Sequence, residues 1–149
     1  MKDMNSEKGI ITKCLGGLYT IESPAGIYEC KARGVFRSKG VSLYTGDYVE
    51  FSDGVITKVL DRKNSIIRPP LANLDQLIFV VSTCSPVPNY LLLDKFIAIA
   101  EYKGITPVVA VTKNDLGDGS VIREIYSRIG IKTLSVDYDD SSAVDVVRE

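Results

Sequence analysis

The sequence has no histidine and only three cysteines, Cys14, Cys30 and Cys84, which stand 16 and 54 residues apart. An odd number at that spacing is neither a disulfide framework nor a metal-ligand pattern, and without histidine a zinc set of the usual kind is not completed. The three read as inert or buried thiols of a reducing compartment, so a cytoplasmic location is expected. Long apolar runs are also missing: none approaches the ~20 residues of a membrane span. The first nine residues are polar and mixed in charge, which predicts no secretory leader. Net charge is nearly absent, with 18 Lys and Arg against 19 Asp and Glu.

What is present suits a soluble globular chain. Its 149 residues are 45% hydrophobic and 25% charged, enough for one medium domain or two small ones. The small net charge hides an asymmetry. Residues 1–70 carry 11 Lys/Arg against 8 Asp/Glu, whereas residues 71–149 carry 7 against 11. A basic front half directs nucleic-acid binding to that half alone, with plain solvated surface as the alternative.

The front half reads as β. Residues 9–15 and 18–22 are β-rich runs around Gly16-Gly17, a hairpin signal. Ser23-Pro24-Ala25-Gly26 is a second turn before a strand over 27–32. Residues 33–40 are expected to be a loop with alternating cations. Gly46-Asp47 turns into a strand over 48–52, and Asp53-Gly54 into another over 55–60. Five short strands at this spacing predict a small closed barrel, best matched by the five-stranded oligonucleotide/oligosaccharide-binding (OB) type. Lys31, Arg33, Arg37 and Lys39 bracket Phe36, a cation-rich loop with an aromatic that suits RNA phosphates and bases. The alternative is that Phe36 plugs the barrel and the cations are merely solvated. Residues 61–64 read as a polar turn, and Arg68-Pro69-Pro70 can continue neither a ladder nor a helix. The domain boundary is expected there, giving domains of 1–70 and 71–149.

The back half changes period. Residues 76–82 read as a buried strand. Asn89 is a candidate N-cap for a helix over 90–103 with Leu93, Phe96, Ile97 and Ala100 on one stripe, stopped at Gly104. A second strand follows over 107–111. Ser120 is a candidate N-cap for a helix over 121–129 that ends at Gly130. A third strand covers 131–136, and Ser141 or Ser142 is expected to open a last helix. Strand–helix repeats with short links predict a parallel α/β sheet with right-handed crossovers.

The chemistry concentrates at Thr112-Lys113-Asn114-Asp115. Val108–Val111 is apolar without alternation, the pattern of a strand covered on both faces. The four residues follow at its carboxyl end, where open α/β sheets place ligands. A fixed Asp carboxylate can accept two hydrogen bonds from guanine, those of the ring N1–H and the exocyclic amine. Adenine lacks that donor pair. The Lys stem can cover one face of the base while its ammonium stays wet. The bland alternative is a polar loop in which Asp115 caps a turn.

These stretches together resemble the ribosome small-subunit-dependent GTPase A family, the circularly permuted GTPases of small-subunit maturation. The resemblance is carried by Arg33-Gly34-Val35-Phe36-Arg37, by Gly46-Asp47-Tyr48-Val49 and by Arg62-Lys63-Asn64 running through Arg68-Pro69-Pro70 to Asn73-Leu74-Asp75-Gln76. Leu92-Leu93-Asp94-Lys95-Phe96 and residues 107–116 complete it. It implies an RNA-contacting barrel, a permuted GTPase domain and a zinc-binding tail, in a factor that binds the small (30S) subunit and its rRNA and hydrolyses GTP with Mg. In that scheme Thr112, Lys113, Asn114 and Asp115 match the guanine-specificity motif. Ser135 falls where the last nucleotide-contacting loop belongs, although Ser135-Val136-Asp137 departs from the family's usual Ser-Ala or Ser-Ser.

The larger departure is an absence. No Gly-Lys dipeptide occurs anywhere, so there is no Gly-x-x-x-x-Gly-Lys-[Ser/Thr] loop to cradle phosphates or hold Mg²⁺. Asp-x-x-Gly and the zinc tail are missing too. The chain is therefore expected to be the front half of a longer protein, with base selection and RNA docking but no turnover of its own. In the family's sheet the strand bearing the phosphate loop lies beside residues 76–82. Here that strand is expected as an open edge, inviting self-association along Leu77–Val81. The alternatives are a non-hydrolysing rRNA-binding module with a vestigial nucleotide fold, and a two-domain scaffold.

Overall fold

In the computed structural model, whose described residues are 6–136, Gly16 and Gly17 take φ of 58° and 84°. Positive φ at both central positions is the geometry of a tight hairpin turn. It joins β1 (Glu7–Leu15) to β2 (Leu18–Ser23), and β3 (Gly26–Ala32) continues the meander. The first part of β1 pairs with β4 (Tyr48–Ser52), Lys8 opposite Glu50, while its later part pairs with β2. Its register to β2 slips between Ile11 and Lys13, and an extra residue of this kind bends a strand. β4 pairs with β5 (Val55–Val59), which meets β3 in parallel through Lys31–Val55 and Ala32–Ile56. The order β1-β2-β3-β5-β4 is a closed barrel of the expected OB type, and closure leaves no free edge. Ile11, Ile21, Cys30, Val49, Phe51 and Ile56 fill it, each large apolar side chain contributing roughly 1.5–3 kcal/mol by leaving water.

Two front-half expectations are corrected. Residues 33–40 are not all loop, because Gly34–Ser38 forms a short helix, α1. Five residues are too few to show a helical period, and such a turn persists through tertiary packing. Here Phe36 supplies that packing against the barrel core. Residues 61–64 are not merely a polar turn either. Arg62 reaches the fully buried Asp47 with two bonds, Nε to Oδ1 at 2.6 Å and Nη2 to Oδ2 at 2.7 Å. Asn64 exchanges a pair of 2.8 Å bonds with the Leu74 backbone, and Asn73 Nδ2 donates to the Gly46 carbonyl at 2.8 Å. Between them β6 (Ser65–Ile66) pairs with β7 (Leu71–Ala72). The chain divides into compact units of residues 1–74 and 75–149.

In the second unit β8 (Gln76–Ser82), β9 (Thr106–Thr112) and β10 (Lys132–Val136) form a parallel sheet in the order β10-β9-β8. α2 (Tyr90–Tyr102) and α3 (Ser120–Arg128) are the crossovers. Val109 and Val111 pack on Leu93 and Ile97 of α2 and on Ile122 and Tyr126 of α3. Val108 and Ala110 point to the other face and are buried as well. Asn89 caps α2 as expected, accepting from the Leu92 N–H at 3.0 Å.

The stripe on α2 holds for Leu93, Ile97 and Ala100, but Phe96 is 47% exposed. It stacks on Phe79 at 6.4 Å between ring centres, because it borders β8, which is the edge strand among the described residues. Ser120 is not the cap of α3 but its first residue. The N-cap is Gly119, which makes no side-chain cap bond, and Asp118 before it accepts from the Ser120 N–H and hydroxyl at 2.8 Å each. These bonds, the hydroxyl's first, hold the Asp118 carboxyl below its ordinary pKa. Among the described residues no helix is long and apolar enough to cross a membrane. The thiols are free, with Cys30 buried but Cys14 exposed rather than buried. The helix expected from Ser141 or Ser142 lies outside the described residues.

Candidate functional site

β9 ends at Thr112, and its neighbours in register there are Ser82 of β8 and Val136 of β10. Thr112 is buried, with its hydroxyl 3.5 Å from the Val81 carbonyl. The chain then breaks from the sheet at Lys113, whose φ is +60°, a left-handed conformation that costs a non-glycine residue about 1 kcal/mol or more. Bonds from β8's extension hold it there. The Thr83 N–H donates to the Thr112 carbonyl at 3.1 Å, and the Thr83 hydroxyl donates to the Lys113 carbonyl at 2.6 Å. The Lys113 ammonium donates to the Ser85 carbonyl, so its stem bridges the loops after β8 and β9.

Residues 113–116 form one turn, closed by the Leu116 N–H on the Lys113 carbonyl at 3.0 Å. Asn114 is drawn inward, its Nδ2 donating to the Val111 carbonyl at 3.0 Å and to Ser135 Oγ at 3.1 Å. Asp115 is exposed. Among the described residues its carboxylate makes no hydrogen bond or ion pair; the bonds that secure the turn come from Thr83 and Asn114. The carboxylate thus stands at the carboxyl end of the sheet with no described residue on its acceptor sites, an arrangement able to take a pair of donors from a planar ring edge.

Thr112, Lys113, Asn114, Asp115 and Ser135 therefore gather at one strand mouth. Arg123, which the sequence analysis did not single out, joins them from α3, 3.2 Å from Asn114 Oδ1. Gly119 also belongs to the site. A Cβ there would lie 2.2 Å from Asn114 Oδ1 and 2.8 Å from Val111 Cγ1. No local signal distinguishes that glycine from Gly117.

On the barrel, Lys31, Arg33 and Phe36 line one cleft of about 750 Å³, together with the Gly16-Gly17 turn, Tyr19 and Val41. Lys31 and Arg33 are exposed and Phe36 is half-buried. Phe36 therefore does two things at once: its ring packs on the core and still borders the cleft. Lys39 is exposed but does not line it, and the side chain of Arg37 is outside the described set. The cleft carries cations and apolar surface side by side, as a backbone-plus-base surface requires.

Comparison with known proteins covers both units. A family model described as RsgA N-terminal domain matches residues 8–58, and one described as RsgA GTPase matches residues 59–149. A small ribosomal subunit biogenesis GTPase RsgA from Streptococcus agalactiae is 44% identical over 132 residues, covering 83% of this chain and 46% of that protein. Its Bacillus cereus counterpart is 36% identical over 152 residues, covering 95% and 52%. The chain thus spans about half the length of the curated relatives it matches. Among solved structures, YloQ, described as a circularly permuted GTPase, superposes with a TM-score of 0.79 at 28% identity, covering 99% of this chain and 58% of that one. YjeQ from Thermotoga maritima gives the same TM-score and identity over 96% and 56%.

Proposed function

Because this chain belongs to the RsgA family, we propose that the whole protein binds and hydrolyses GTP in cytoplasmic biogenesis of the small (30S) ribosomal subunit. Within it, residues 1–70 dock on rRNA and residues 71–149 select the guanine base. The observation that supports this most is the open carboxylate of Asp115 at the mouth of β9, on a turn held by bonds from both flanking strands or their extensions. The carboxylate accepts from N1–H and the exocyclic amine, and an adenine edge offers one acceptor where guanine offers a donor. Thr112 and Lys113 set the turn's geometry. Lys113 is already engaged with Ser85, and its stem is the apolar wall beside the base.

Phosphate chemistry is not assigned to these residues. Among the described residues no group of His, Cys, Asp and Glu could hold a metal ion, and the sequence has no glycine-lysine loop. The Mg²⁺ and phosphates of GTP, like the family's zinc, would be held by other parts of the protein. When bound, Mg²⁺ supplies charge neutralisation for phosphoryl transfer. This chain's own contribution is orientation of the base.

Cosedimentation of the whole protein with small subunits in the presence of GTP tests the reading. Arg33→Ala with Arg37→Ala is expected to weaken subunit binding and to lower the slope of log K against log salt by about 2, one for each phosphate no longer neutralised. Binding and slope both unmoved would place the RNA surface elsewhere.

The 149-residue chain by itself is proposed to self-associate through Leu77–Val81. Val80 is 69% exposed on β8, the edge of the described sheet, and an apolar edge of that kind pairs readily. Sedimentation equilibrium should give a dimer for the wild-type chain and a monomer for Val80→Lys. A wild-type chain that stays monomeric at every concentration refutes the pairing.

A further inference from the structure

Arg123 enters the candidate base site through Asn114 and Ser135. Its Nη1 donates to Asn114 Oδ1 at 3.2 Å and approaches Ser135 Oγ at 3.5 Å. Asn114 Nδ2 donates to the same Ser135 Oγ at 3.1 Å and to the Val111 carbonyl at 3.0 Å. Guanidinium, amide and hydroxyl therefore close a triangle that ties α3, the turn after β9 and the end of β10 together. A Cβ at Gly119 would fall 2.2 Å from Asn114 Oδ1 and 3.2 Å from Arg123 Nη1, so the triangle occupies the space that a side chain there would fill.

We infer that Arg123 is a positioning residue for guanine selection, acting on Asp115 through the Asn114 side chain. The chemistry is one-directional. A guanidinium only donates, so Asn114 Oδ1 must face it. That leaves Nδ2 for Val111 and Ser135, and the flipped amide would set donor against donor. Asn114 and Asp115 are adjacent in one turn, so fixing the first fixes the backbone from which the second projects. A carboxylate that must meet two donors on a rigid ring edge tolerates an error of only about 0.5 Å. Ser135 is then a strut of the site through its hydroxyl, whatever its loop does with the nucleotide. The inference rests on the base-site reading of Asp115.

The test is the ratio of GDP to ADP affinity of the whole protein, read by titration with fluorescent nucleotides. Arg123→Ala is expected to lower that ratio about 10-fold by weakening GDP alone. Arg123→Lys, which keeps one donor, should retain most of it. Asn114→Ala should cost as much as Arg123→Ala, and the double variant no more than either, since the two act as one unit. An unchanged ratio in Arg123→Ala, beside an Asp115→Asn variant that loses discrimination, overturns the inference and leaves the base site standing. An unchanged ratio in both variants overturns both.

If Arg123→Ala does not fold, the Asn114 side-chain amide protons of the 149-residue chain decide by nuclear magnetic resonance. Two resolved, slowly exchanging signals that shift in Arg123→Lys support the inference. Signals that exchange fast, or are indifferent to Arg123→Lys, overturn it.

Discussion

Arg62→Ala is expected to destabilise the barrel unit by about 3–5 kcal/mol, the cost of leaving a buried charge without its partner. Asp47 is fully buried, and both of its oxygens are committed: Oδ1 to Arg62 Nε, and Oδ2 to Arg62 Nη2 and to the Tyr44 N–H at 2.7 Å. The guanidinium also donates to the Ser42 carbonyl at 2.6 Å and lies 4.1 Å over the Tyr44 ring. Its pKa is raised chiefly by the bond to Asp47, so it stays charged at any working pH. Removing it strands the carboxylate, frees the Ser42 carbonyl and uncovers Tyr44.

Lysine does not substitute, because an ammonium can neither form the two-pronged bond nor stack. Arg62→Lys should fall between wild type and Arg62→Ala. Asp47→Asn keeps an acceptor for Tyr44 but presents an amide to the guanidinium, and should lose a comparable amount. Denaturant unfolding followed by far-ultraviolet circular dichroism measures each. A loss below about 1 kcal/mol for Arg62→Ala would put the pair in the class of exposed salt bridges and refute the clamp.

The second large effect is on binding rather than stability. In the whole protein Asp115→Asn is expected to cut the preference for guanine over adenine nucleotides by roughly 10²- to 10⁴-fold. Two base donors lose an ionised acceptor, each worth about 1–3 kcal/mol when unsatisfied, and the new amide turns a donor toward a donor. The same change should leave stability within about 0.5 kcal/mol of wild type, because the Asp115 carboxylate is exposed and has no partner among the described residues. Competition of GDP and ADP for the variant, with its melting curve beside it, separates the two effects. A preserved preference with an unchanged melt would remove Asp115 from base reading. A preserved preference with a large loss of stability would return it to the role of a turn cap.

Much of the architecture is written in local chemistry, where neighbours in sequence are also neighbours in space. Two glycines in a row permit the β1–β2 turn whatever surrounds them. The uninterrupted Val108–Val111 run reads as a strand covered on both faces, and all four residues are buried. Asn89 and Gly104 bound α2 from its two ends, through a side-chain acceptor at one and a φ of +67° at the other. The Thr112–Asp115 loop follows by the same logic, since the carboxyl end of a parallel strand is where ligand loops sit.

What the sequence alone determined, then, is the barrel, the parallel sheet and the place of the turn proposed to read the base. Each depends on periodicity, on capping, or on a residue with special backbone freedom. Tertiary structure decided which polar residues are structural. Asp47 and Arg62 are 15 positions apart, and nothing local reveals that a residue following Gly46 in a turn is sealed from water. α1 exists because Phe36 has a core to pack on, and Phe96 stays half-exposed because β8 has no described neighbour beyond it. Arg123 reaches Asn114 only once α3 has folded back across β9. Burial and partnership across the chain are properties of the assembled fold. They turned a polar turn into a clamp and brought Arg123 into the candidate site.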